Sequence, residues 1–178
     1  SFILPAELTD AALNTATSSD INITKDSVAP VIALVTPADL SSITALNDSA
    51  TFAVDGTCDE NTAVVNIQVD AVDASSQVGF VCDGTNFSGT IDTTSLSTGA
   101  LSFTAVIIDV AGNETTSTSN TVTKDSTPPS IAITNISDGS FINSSTNSAT
   151  FTISGTCNEA SATANILIDA VAASSQVG

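Results

Sequence analysis

A block of sequence returns after 99 residues, and this repetition limits the possible folds more than any other feature of the chain. TKDSVAP at residues 24–30 recurs as TKDSTPP at 123–129. SATF at 49–52, GTC at 56–58, DAV at 70–72 and SSQVG at 75–79 each recur at the same offset. Between residues 21–79 and 120–178, 30 of 59 positions are identical, with no insertion needed. The same offset lays residues 1–26 on 100–125, placing Ala6 on Ala105, Asp10 on Asp109, Ala12 on Ala111 and Asn14 on Asn113. The chain therefore reads as the C-terminal strands of one repeat (1–26), a complete repeat (27–125) and the N-terminal half of another (126–178). Half a β-sandwich has an open core. The two partial copies are thus expected to be completed from outside the segment, by continuation of the polypeptide or by strands of a neighbouring chain.

Within the complete repeat, apolar residues recur with the period of two that marks half-buried strands. Ala50, Phe52, Val54 and Cys58 share one parity, as do Val65, Ile67, Val69 and Ala71. Val78, Phe80 and Cys82 form a third inward set, Phe87, Gly89 and Ile91 a fourth, and Leu101, Phe103, Ala105 and Ile107 a fifth. An opening strand over 31–35 and a closing one over 117–123 bring the expected number to seven. Residues 94–99 are expected to make a single helical turn. Ser and Thr supply 53 of the 178 residues, a palette suited to short strands and polar turns. The expected fold class is all-β: tandem immunoglobulin-like antiparallel sandwiches with a period of 99 residues.

Composition excludes several functions. There are 19 carboxylates against two cations, Lys25 and Lys124, for a formal net charge of −17. Nucleic acid is excluded as a partner because nothing would displace the counterions around its phosphates, and an anionic membrane surface is excluded likewise. The absence of His removes the usual general base and the commonest zinc ligand. No apolar run is long enough to insert this segment into a membrane. The abundant Ser residues have no His beside them, carboxylate pairs occur only as turn residues, and no insertion builds a cleft. The chain is not expected to be an enzyme.

The string AVIIDVAGNETTSTSNTVTKDSTPPSIAI resembles the bacterial Ig-like repeats of large surface adhesins and biofilm-associated proteins. There a D-x-A-G-N hairpin precedes the last strand, and D-x-T-x-P opens the next repeat. Asp109, Ala111, Gly112 and Asn113 match the first motif, and Asp125, Thr127 and Pro129 the second. The earlier junction is looser, with Asp26, Ala29 and Pro30, and the first hairpin reads DAALN, with Leu13 in place of the glycine. The resemblance spans the whole chain and implies a spacer role at a cell surface.

Cys58 and Cys82 close two inward-facing strands 24 residues apart, so a disulfide between them is sterically natural in a sandwich. It would stabilise the fold by about 3 kcal/mol. Cys157 copies Cys58, and its partner would lie beyond residue 178. The other reading is three buried thiols in a reducing compartment, whereas a disulfide implies export. Asp109 and Asn113 in the hairpin, with Asp26 and Asp125 at the junctions, are candidate calcium ligands, since that ion takes six to eight oxygens. Several adhesins of the resembled kind bind it at domain junctions. The other reading is that these side chains cap turns. Lys25 and Lys124 occupy equivalent junction positions and are expected to be solvated charges. Asn22, Asn47, Asn86, Asn113, Asn135 and Asn143 head glycosylation sequons, in modest excess over composition.

The expected function is a structural rod, stalk or fibre segment of an extracellular cell-surface adhesin, its partners being adjacent copies of the repeat packed head to tail. The alternatives are a subunit of a filament joined by inter-chain strand complementation and, more weakly, a carbohydrate-binding module.

Overall fold

The computed structural model describes residues 1–169 and the backbone of 171–172. Every regular element among them is a strand. Short segments separated by Pro5 and Ala6, by the DAALN turn and by Ser18, Ser19 and Asp20 give first β1 (Phe2–Leu4), β2 (Glu7–Thr9), β3 (Thr15–Thr17) and β4 (Ile21–Ile23). The middle of the chain forms β5 (Ile32–Thr36), β6 (Ser42–Thr44), β7 (Phe52–Cys58), β8 (Val64–Val69), β9 (Val72–Asp73), β10 (Asn86–Ile91), β11 (Gly99–Ile108), β12 (Glu114–Thr116) and β13 (Asn120–Asp125). Next come β14 (Ile131–Ile133), β15 (Gly155–Cys157), β16 (Leu167–Ile168) and β17 (Val171–Ala172). Residues 1–126 form one compact unit, and a second begins at Thr127.

The middle strands make a two-sheet sandwich. One sheet has the order β10-β7-β5, and the other runs β6-β13-β11-β8-β9 with β12 also on β11. All pairs are antiparallel except β6 with β13. The opening strand is split. β5 lies on β7 in the first sheet, and the chain then crosses to lay β6 along β13 in the second. Side chains anchor this crossing: the Asn120 amide donates to the Pro37 carbonyl at 2.8 Å, and the Thr121 amide donates to Asp39 at 2.7 Å. Nine strands thus stand where seven were expected, because the segment 78–82 makes only isolated bridges while β6, β9 and β12 are additional.

The core lies where the inward parities of both sheets meet. Phe87, Phe103, Ile43, Ile67, Ile91 and Ile107 are almost fully buried, each stabilising the fold by about 1.5–3 kcal/mol relative to exposure. Phe80 and Phe87 meet as a tilted pair with ring centroids 6.4 Å apart. Gly56 in β7 has a packing reason to be glycine, since a Cβ there would overlap the Ala33 carbonyl oxygen and the Phe87 ring.

Several expectations fail here: Ala50 and Ala71, grouped with the inward residues of their strands, are exposed, and Ala71 lies in a turn at φ 63°. Val78 is exposed rather than inward, whereas Phe80 and Cys82 of the same set are buried; the segment makes only isolated bridges, Val78 to Thr90 and Val81 to Val64. Residues 94–98 form a turn and bends rather than a helix, with the Leu96 amide donating to the Thr93 carbonyl, and Gly99 already begins β11.

The flanking strands pair in matching registers. Phe2↔Ile23 corresponds to Leu101↔Val122, and Leu8↔Ala16 to Ile107↔Thr115. Ile131↔Cys157 likewise corresponds to Ile32↔Cys58, and Ile168↔Val171 to Val69↔Val72. Their apolar side chains stay exposed, including Phe2, Leu4, Ile131 and Ile168, although the matching Leu101, Phe103, Ile32 and Val69 are buried.

Candidate functional site

Three groups of polar or sulfur side chains stand out in the first unit: the cysteine bridge, the β11–β12 hairpin and a buried lysine at the end of β13. Cys58 ends β7, and Cys82 lies on the segment that crosses toward β10. They are joined as a disulfide with a Cα–Cα distance of 6.0 Å, buried beside Phe80 and Phe87. Cys157 is a free, exposed thiol.

The hairpin is organised by one carboxylate. Asp109 Oδ1 accepts from the backbone amides of Ala111 and Asn113, both at 2.8 Å, and Oδ2 accepts from the Asn113 side-chain amide at 2.7 Å. Gly112 completes the turn at φ +89°, where a side chain would be strained. Asp10 repeats the arrangement with Ala12 and Asn14, and there Leu13 takes the left-handed conformation at φ 71°. The Asn113 side-chain amide has the largest influence on Asp109 and holds its carboxyl below the usual range against the opposing effect of burial; three backbone amides add to it. Asp10 is held down in the same way by Asn14.

Of the candidate calcium ligands, the structure brings Asp109 and Asn113 together, but as partners in this turn. Asp26 accepts from the Val28 amide at 3.1 Å, and Asp125 is exposed at the end of β13. Among the described residues, no three His, Cys, Asp or Glu side chains converge on a common point. The sequon asparagines also have local work. Asn47, Asn113 and Asn135 donate their side-chain amides to Ser42, Asp109 and Thr152, while Asn143 accepts from Ser145. Asn22 and Asn86 are exposed on β4 and β10.

The expectation that both lysines are solvated is wrong for Lys124, which is 3% exposed. Its ammonium lies 3.0 Å from Asp48 Oδ2 and donates to the Thr93 carbonyl at 2.6 Å and the Thr94 carbonyl at 3.4 Å. The Thr93 hydroxyl, itself fully buried, donates to Asp48 Oδ1 at 2.8 Å. Burial pushes the Asp48 carboxyl up, but bonds from Lys124, Thr93 and Ser126 together with the Lys124 charge hold it below the usual range. The cluster ties the last strand to the loops after β6 and β10, where the chain leaves the sandwich. A signal for it existed. Lys124 shares the parity of buried Val122, so β13 points it inward. Lys25, by contrast, is exposed.

No protein-family profile and no curated protein sequence matches the chain. Among solved structures, the chain is similar to the fibronectin(III)-like modules of CbhA from Clostridium thermocellum (13% identity, TM-score 0.37, covering 60% of this chain and 52% of that one). It is also similar to a Ca2+-stabilized adhesin that helps an Antarctic bacterium reach out and bind ice (25% identity, TM-score 0.38, covering 78% and 35%). A third similar structure is SGBP-B of the Bacteroides ovatus mixed-linkage glucan utilization locus, in complex with a mixed-linkage heptasaccharide (16% identity, TM-score 0.28, covering 74% and 32%). The chain spans about half of the first of these chains and about a third of the other two.

Proposed function

We propose that the chain is a segment of an extracellular rod built from tandem immunoglobulin-like sandwiches of the bacterial adhesin type, with a period of 99 residues and no catalytic role. The observation that carries this reading is the agreement of sequence and register. Segments on both sides of the central sandwich repeat its sequence at one offset, and their strands pair in its registers. The corresponding division is 1–26, 27–125 and 126–178. Exposed apolar faces on β1, β4 and β14 support completion of the flanking copies by further strands of the same repeat. The disulfide supports an exported, cell-surface location.

All four phenylalanines of 27–125 pack into or against the core, which favours a spacer over an aromatic carbohydrate platform. Both oxygens of Asp109 are engaged in its turn, which favours capping over calcium.

The deciding measurement is the intact mass of the native polypeptide after reduction and denaturation. A mass several times that of this segment is expected. A mass near 17.7 kDa would overturn the long rod in favour of a filament of short subunits.

A further inference from the structure

The outer face of the six-stranded sheet carries a groove that the fold does not require. It has a volume of about 510 Å³, and its floor is the row Val64, Val106 and Ile108, continued by Val110 at the hairpin. Val106 is buried beneath its neighbours, whereas Val64 is 68% exposed, Ile108 48% and Val110 96%. Solvent-facing strand positions are ordinarily polar. Contiguous exposed aliphatic side chains rimmed by polar groups mark contact surfaces. One side of the groove is polar and ordered: Asn66 and Gln68 both donate to Asp73, and the Gln77 side-chain amide donates to Asn66. Glu114 and Asp109 lie along the other side.

The other copies in the chain show that this face is particular to the central one. Val64, Val106, Ile108 and Val110 correspond at the offset of 99 to Thr163, Glu7, Thr9 and Ala11. Asp73 and Glu114 correspond to Ala172 and Thr15. Inward positions behave differently, since Phe103, Ile107, Ile67 and Val69 correspond to Leu4, Leu8, Ile166 and Ile168 and stay apolar. What the fold needs is kept, and the groove is not.

We propose that this groove binds a segment of another protein that presents an aliphatic side chain flanked by lysine or arginine. The aliphatic row supplies apolar contact, and Asp73 and Glu114 supply the charge complement on opposite sides. A second copy of this chain fits poorly, because its only lysines are Lys25 and the buried Lys124, within a net charge of −17. This goes beyond the spacer reading by giving one repeat a recognition face.

The test is titration of the isotopically labelled chain with a capped pentapeptide alternating lysine and valine, followed by amide chemical shifts. Controls are the peptide with glutamate for lysine and a neutral cello-oligosaccharide. Saturable shifts confined to Val64, Asn66, Val106, Ile108 and their neighbours are expected, weakening as salt rises from about 20 to about 300 mM. Replacing Val64→Thr and Ile108→Thr together, the residues of the other copies, should weaken binding at least ~10-fold. Asp73→Ala should weaken it and flatten the salt dependence. Absence of saturable shifts, equal shifts with either control, or full affinity in the threonine variant would overturn the proposal. Should that variant not fold, undiminished affinity of the Asp73→Ala protein overturns it.

Discussion

Replacing Lys124 by Met removes the ammonium but keeps most of the stem that packs along β13. Three acceptors then lose their donor: the Asp48 carboxylate and the carbonyls of Thr93 and Thr94. Breaking a buried ion pair from one side costs about 3–5 kcal/mol. The Asp48 side chain retains 13% exposure and its bond from Thr93, so the lower end applies. We expect a loss of about 3 kcal/mol, which in a sandwich of this size lowers the melting temperature by roughly 12–24 °C. Asp48→Asn should cost a similar amount, about 3 kcal/mol, because it leaves the Lys124 ammonium, whose side chain is 2% exposed, without a counter-charge. The double variant should cost less than the sum, with a coupling of about 1–3 kcal/mol. The chain contains neither Trp nor Tyr, so urea unfolding is best followed by far-ultraviolet circular dichroism. A cost below about 1 kcal/mol for Lys124→Met, or strict additivity in the double variant, would refute the assignment of the cluster as a lock on the last strand.

Two further outcomes follow from the bridge and the hairpin. Replacing Cys58 and Cys82 by Ala should cost about 3 kcal/mol, since the bridge closes a loop of sequence separation 24; a midpoint in urea unchanged from the parent would contradict this. Asp109→Asn should destabilise the hairpin above the ordinary carboxylate range. Because the folded carboxyl is held low, its contribution is full above the unfolded pKa and is lost as pH falls through the folded one. The gap in melting temperature between parent and variant should therefore close below about pH 4, and a gap independent of pH would sink the carboxylate account.

Several features could be read before any coordinates, because they follow from local geometry. Alternation of side chains along a strand is imposed by the backbone, so the inward positions Ile67, Phe87, Phe103 and Ile107 were legible, and these four are buried. The D-x-A-G-N hairpin was legible for the same reason, since Asp109 bonds only within its own turn. In the segment after β9 alternation held at Phe80 and Cys82, which are buried, and failed at Val78, which makes a single isolated bridge to Thr90 just before Gly79 turns the chain at φ +94°. The burial of Lys124 was half legible. Its parity pointed inward, but its charge argued for solvent. What decides between them is a compensating carboxylate, and Asp48 lies 76 positions away in the chain.

The repeat offset, the inward faces of most strands, the hairpin turns and the positions of Cys58 and Cys82 are legible in the chain alone. Each depends on neighbours close in the chain or on direct comparison of equivalent positions. Long-range packing is what divides the opening strand between two sheets, lays β6 parallel to β13, encloses a lysine with Asp48 and Thr93, and brings Val64 and Ile108 into one groove. Those are pairings between residues tens of positions apart. The same local pattern of apolar and polar residues is compatible with several such pairings, and the sandwich selects the one that buries both inward faces at once.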